Sequence, residues 1–202
     1  FPLSGFIVKL AKKISRVDES VQDDSVVLLD DRMLQTPSIA LQRTISEVGR
    51  MGGVVTETLD IARRVLFTKS QADIQALKDD ETKVDKLWAG ITEYAIKLTR
   101  LQISDKEHEY VSRMLQIVSD IERISDYCEN IAEYAIDKNK KKYEFSEDAY
   151  EEISGGFAHV KKMVRDSIDA LKSGAHAAAL DIKEQEADMN RMEAQLRKQH
   201  MV

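Results

Sequence analysis

The chain has 202 residues and a net charge of −6; 33% of its residues are charged, 43% are hydrophobic, and it holds only 8 glycines and 2 prolines. That length supports one or two domains with a sizeable core, and the composition suits long amphipathic helices rather than a turn-rich β protein. The acidic balance gives no electrostatic case for a nucleic-acid partner, the single Cys128 excludes an intramolecular disulfide and a cysteine-based zinc site, and no apolar run approaches the ~18–20 residues of a membrane-spanning helix.

The first ten residues, Phe1 to Leu10, are mostly apolar and run into a basic cluster of Lys9, Lys12, Lys13 and Arg16. Two readings stand side by side: an ordinary N-terminal helix, or the last turns of a membrane helix followed by cytoplasmic positive charge. Residues 17–35 read as irregular. Thr36-Pro37 then predicts a helix start, with proline at the first helical position. From there apolar residues recur in steps of three and four, through Leu41, Ile45, Val48, Gly52, Val55, Leu59, Ala62 and Leu66. Gly49, Gly52 and Gly53 in mid-helix are expected to admit a closely packed neighbour.

Ser70 is placed to cap a second helix, whose seam runs Ile74, Leu77, Glu81, Val84, Trp88, Ile91, Ala95 and Leu98. Ser104 is placed to cap a third, with Val111, Met114, Val118, Ile121, Ser125, Cys128, Ala132 and Ala135 on its seam. Asp137 to Lys142 reads as a polar break and Ser146 as the cap of a fourth helix, with Tyr150, Ile153, Phe157, Val160, Val164, Ile168 and Leu171 facing inward. Ser173-Gly174 predicts a turn before a fifth helix from about Ala175. Long helices joined by short connections pack as antiparallel neighbours, so the fold class is all-α.

One offset in sequence relates Leu77 to Leu180, Glu81 to Glu184 and Asp85 to Asp188. The pattern is a three-helix unit followed by two helices of a second copy. An uncovered stripe on the fifth helix, with Ala177, Leu180 and Ala187, would then favour either a continuation past Val202 or association into a homo-oligomer.

Three segments place a Glu and an Asp four residues apart: Glu81/Asp85, Glu122/Asp126 and Glu184/Asp188. Such a pair lies on one helix face, about 6 Å apart along the axis. Two pairs on facing helices would gather four carboxylates, the donor set that hard cations take. The spacing fits solvated acidic faces equally. Glu81 and Glu184 fall on apolar seams, where a carboxylate needs a metal or an ion partner, and both remain open at this point.

The run Asp120-Ile121-Glu122-Arg123-Ile124-Ser125-Asp126-Tyr127-Cys128-Glu129-Asn130-Ile131-Ala132-Glu133 resembles the PhoU signature. The resemblance covers roughly residues 37–202 and implies tandem antiparallel three-helix bundles, the second incomplete here. Residues 37–139 would be the first PhoU-like bundle, 140–202 part of the second, and 1–36 a lead-in. It also implies that Glu81, Asp85, Glu122 and Asp126 are ligands of a metal cluster, typically iron or zinc, with Glu184 and Asp188 half of a second site. Asn130 matches the signature as well.

The stretch Leu29 to Ala40 is similar to the segment that joins the membrane part of bacterial sodium/phosphate cotransporters to their C-terminal PhoU-like region. That likeness implies a regulatory domain on the cytoplasmic side of the inner membrane, partnered by the membrane region of its own parent transporter. A free-standing PhoU adaptor in phosphate signalling, and a carboxylate-bridged metal store or metalloenzyme, are the other two hypotheses.

No nucleophile, base and oxyanion site assembles, so an enzyme is not expected. His108, His159, His176 and His200 are scattered, none three residues after a Glu, which excludes the ferritin-like di-iron pattern. Cys128 and Trp88 read as core residues, and Lys138 to Lys142 as a solvated connector or a contact for anionic headgroups.

Overall fold

The computed structural model describes residues 29–68, 70–142, 144–173 and 178–200. Among these are five long helices, α1 Pro37–Phe67, α2 Gln71–Thr99, α3 Asp105–Lys141, α4 Glu147–Ser173 and α5 Ala178–His200. The apolar lead-in and basic cluster of residues 1–16, and the stretch up to residue 28, lie outside the described residues, as do Gly174 and Ala177.

The helices begin where a side chain can take up their first free amides. Ser70 Oγ accepts from Asp73 N at 3.1 Å. Ser104 and Glu107 form a reciprocal capping box, with Ser104 N donating to Glu107 Oε2 at 2.8 Å. Ser146 Oγ accepts from Ala149 N at 3.2 Å. Thr36 departs from expectation: it makes no side-chain cap, and α1 relies on Pro37 at its first position.

Two further departures have clear causes. Residues Asp31–Gln35, expected to be irregular, form a 3₁₀ turn whose start is capped by Asp30, which accepts from Arg32 N at 2.9 Å. The polar run from Asp137 does not break α3, which continues to Lys141 and ends on Lys142 in the left-handed conformation, φ 58°. Lys138 explains this. Its stem is buried, its Nζ donates to the Leu66 carbonyl at 2.9 Å, and the ammonium lies 4.5 Å from the Phe145 ring centroid. One lysine therefore satisfies the carbonyl end of α1 and pins the connection to α4. The expected boundary near residue 139 falls inside the last turn of α3.

Helices α1, α2 and α3 pack on one another in an up-down-up bundle; α4 packs on α1, and α5 on α4. The second and third seams are buried at every expected position except Glu81, which sits half-exposed at the bundle's edge. Helix α1 carries more than its expected seam: Thr44, Glu47, Met51, Val54, Thr58 and Val65 are buried as well, because it packs against α2, α3 and α4. Glu47, fully buried, is held by an ion pair to Arg50. A strap over the end of the bundle places Leu29, Met33 and Leu34 against Ala40, Tyr94 and Leu98. It is fastened by Tyr94 Oη to the Asp30 carbonyl at 2.9 Å and by Lys97 Nζ to Asp31 at 3.0 Å.

The contact between α1 and α4 uses the glycines. A Cβ at Gly52 would collide with the Ile168 side chain, and one at Gly49 with the stem of Lys172. Gly53, expected to serve the same purpose, faces open space. From α3, Tyr110 Oη donates a hydrogen bond to the Leu171 carbonyl of α4 at 2.6 Å. Along α4, Val164, Ile168 and Leu171 are buried, and Ile153, Phe157 and Val160 are half-buried against the same core. Tyr150, expected inside, is 43% exposed but rests its ring 4.4 Å from that of Phe67. Helix α5 holds to α4 through polar bonds: His159 Nε2 donates to the Gln185 carbonyl at 2.8 Å, and Gln185 Nε2 donates to Asp166 Oδ2 at 2.6 Å.

Filling the Gly52 notch tests this docking. Gly52→Val is expected to destabilise the protein by about 1–3 kcal/mol and to raise amide exchange in α4 while α2 and α3 stay protected. Equal loss of protection across all helices would show that the notch does not define the joint.

Candidate metal centre

Apolar neighbours fix the register of α2 against α3. On α2, Leu77 and Val84 are fully buried; on α3, Ile121, Ser125 and Cys128 are buried. The residues between them are carried to the edge where the two helices meet. There Glu81 and Asp85 of α2 and Asp126 of α3 each offer a carboxylate oxygen, all within 4.8 Å of one another, and all three residues are half-buried. Two ligands of one hard cation, bound at about 2.0–2.6 Å, can lie at most about 5 Å apart, so these oxygens fit one coordination sphere. The donor set is all oxygen, which suits a hard cation.

Glu122, the fourth residue expected here, is half-buried one turn from Asp126 but outside the group of three. None of these four carboxylates stands free, and Lys86, beside Asp85 in sequence, is engaged as well. The second motif is unlike the first. Glu184 and Asp188 face solvent, and Asp188 is taken up by an ion pair with Arg191. Ala187 is exposed on the same helix; Leu180 is among the side chains that are not described.

Asp80, one residue before Glu81, carries an electrostatic load that sequence reading missed. It lies between α1 and α2, where Thr58 Oγ1 donates to its Oδ2 at 3.4 Å. Burial pushes its carboxyl above the ordinary range, with Glu57 and Asp79 adding to the rise and Lys83 and Thr58 opposing it. The signal was Thr58 on a second inward face of α1. Cys128 is buried and its thiol is pushed up to about 12 by desolvation, which suits a core residue and not a nucleophile. Trp88 is buried too, its Nε1 without a hydrogen-bond partner.

The PhoU domain matches residues 48–135 and 154–202. The chain is 29% identical over 98 residues to a phosphate-specific transport system accessory protein PhoU homolog of Synechocystis, covering 48% of this chain and 44% of that one. It is 28% identical over 127 residues to a PhoU homolog 1 of the same description from Thermotoga maritima, covering 62% and 54%. A chain from Salmonella typhimurium named for inorganic phosphate export, YjbB, is 22% identical over 176 residues, covering 86% of this chain and 32% of its own length. The chain thus spans between about a third and about a half of these relatives.

The raised carboxyl of Asp80 sets a sign for pH dependence. Ionising a group whose folded pKa is raised costs stability above its unfolded pKa; below that value the carboxyl is protonated in both states and the cost disappears. Asp80→Asn is therefore expected to raise the melting temperature at about pH 7, with the gain shrinking toward zero near pH 3. A gain independent of pH, or a loss at neutral pH, would contradict the assignment.

Proposed function

The chain belongs to the PhoU domain family, and on that premise we propose that it is a non-catalytic regulatory unit of a sodium-dependent phosphate transporter, lying on the cytoplasmic side of the membrane. One observation carries the phosphate reading: the PhoU match spans both parts of the chain, and the α2–α3 carboxylate group lies within it. Support for the transporter reading comes from the phosphate-export relative, where 86% of this chain corresponds to 32% of a longer protein. The apolar-then-basic lead-in of residues 1–16 points the same way. The free-standing accessory role is favoured by the two PhoU homologues and fits the fold equally well.

Glu81, Asp85 and Asp126 are the residues that would hold a cation, and Glu122 stands close enough in sequence to join a larger cluster. Of iron and zinc, an all-oxygen set fits iron better, and manganese or magnesium would suit the same donors. A bound cation supplies charge: it neutralises carboxylates drawn from two helices and so ties α2 to α3. Binding to the folded state alone adds stability that grows as the logarithm of one plus the ratio of free ion to Kd, about 2.7 kcal/mol at a hundredfold excess over Kd. That gives a regulatory bundle two states, loose without the ion and tied with it.

The test is phosphate uptake by cells carrying the full-length parent, at matched expression. Deleting residues 37–202 is expected to change uptake or its response to internal phosphate. Glu81→Gln with Asp126→Asn should reproduce part of that change and remove bound metal from purified protein. Unchanged transport in the deletion contradicts the regulatory role; altered transport with metal binding intact in the double variant contradicts the metal's part in it.

A further inference from the structure

Helix α3 presents an outward stripe that no other described helix covers: Asp120, Arg123, Tyr127, Asn130, Tyr134, Asp137 and Lys141, all exposed. Tyr127 and Tyr134 are 55% and 57% exposed, the largest values among the bulky apolar side chains of the described residues. The steps along the stripe alternate three and four, so all seven residues lie on one face of the helix. Its chemistry is also symmetric, within one residue, about a midpoint between Asn130 and Ile131. Reversed on itself, the stripe sets Tyr127 opposite Tyr134, Arg123 opposite Asp137, and Asp120 opposite Lys141. Each cation then meets an anion and each ring meets a ring.

We propose that this face of α3 packs antiparallel against α3 of a second copy of the chain, about a two-fold axis near Asn130. A two-fold contact uses one patch twice and must be self-complementary, which this stripe is and a random exposed helix face is not. Tyrosine and arginine are the side chains that anchor protein interfaces most often. The ion partners these groups now have lie within α3: Arg123 with Asp120 at 3.7 Å and Asp137 with Lys140 at 3.4 Å. Exchanging them for contacts with a second copy leaves the packing of the bundle untouched.

Half-buried Ile124 and Ile131 border the stripe on one side, and Asp126 and Glu133 on the other. The acidic border meets its own copy across the axis and weakens the association. A stripe of this length runs about 32 Å along one helix, at the small end of specific interfaces, below ~1,200 Å² of buried surface. The dimer is accordingly a weak one that forms as concentration rises. It stands independently of the transport reading above, and either can fail without the other.

Sedimentation equilibrium of the full chain over a concentration series provides the test. A monomer–dimer equilibrium is expected, weakened at least ten-fold by Tyr127→Ser with Tyr134→Ser. Arg123→Glu and Asp137→Arg should each weaken it alone, while an equimolar mixture of those two variants should associate again, because both crossed pairs become opposite in charge. Circular dichroism confirms that each variant keeps its helix content. A chain that stays monomeric at every concentration overturns the proposal, as does a dimer indifferent to the tyrosines or one not restored by mixing.

Discussion

Helix α1 has to pack against two sets of neighbours at once, and the rest of the architecture follows from how it does so. One face, with Val48, Val55, Leu59, Ala62 and Leu66, closes the three-helix bundle. An adjoining flank must admit α4, and it does so by having no side chain at Gly49 and Gly52, where Lys172 and Ile168 settle. Glycine costs about 1 kcal/mol in a helix interior relative to alanine, which the close approach offsets through the burial of Ile168 and its neighbours. A helix packed on two sides has little freedom to shift. It is therefore a fixed reference against which α2 and α3 are set, and the carboxylates between those two helices inherit that precision.

Much of this was legible in the residues, and the failures have physical reasons. Capping serines marked the starts of α2, α3 and α4, because a hydroxyl ahead of a helix has one obvious use. The seams of α2 and α3 were legible because each helix has one buried face. The second face of α1 was not: Thr44, Glu47 and Thr58 are polar, and their burial depends on partners far away in sequence. The end of α3 was misread for a related reason. Lys138 counts as polar in any periodicity, but its stem is buried and its charge serves the carbonyl end of another helix.

The candidate site divides the same way. Helical spacing put Glu81 beside Asp85 and Glu122 beside Asp126, but which residues meet across the groove depends on the rotation of α3 about its axis. The structure brings in Asp126 and leaves Glu122 outside the group of three. The repeat in sequence made Glu184 and Asp188 look equivalent to the first pair. Among the described residues both are exposed, and Asp188 is ion-paired with Arg191. The fold agrees with membership of the PhoU family, and on the reading proposed above the three-carboxylate group is where the bundle takes up an ion.

The central claim is that a hard cation is held between α2 and α3 by Glu81, Asp85 and Asp126. Anomalous diffraction from crystals grown with manganese addresses it most directly, because the peak locates the ion without reference to activity. The expected result is one dominant peak within about 2.0–2.6 Å of oxygens from these three residues, with or without a second ion toward Glu122. Anomalous peaks confined to Glu184 and Asp188, or no ordered manganese in the α2–α3 groove at saturating concentration, would contradict the account.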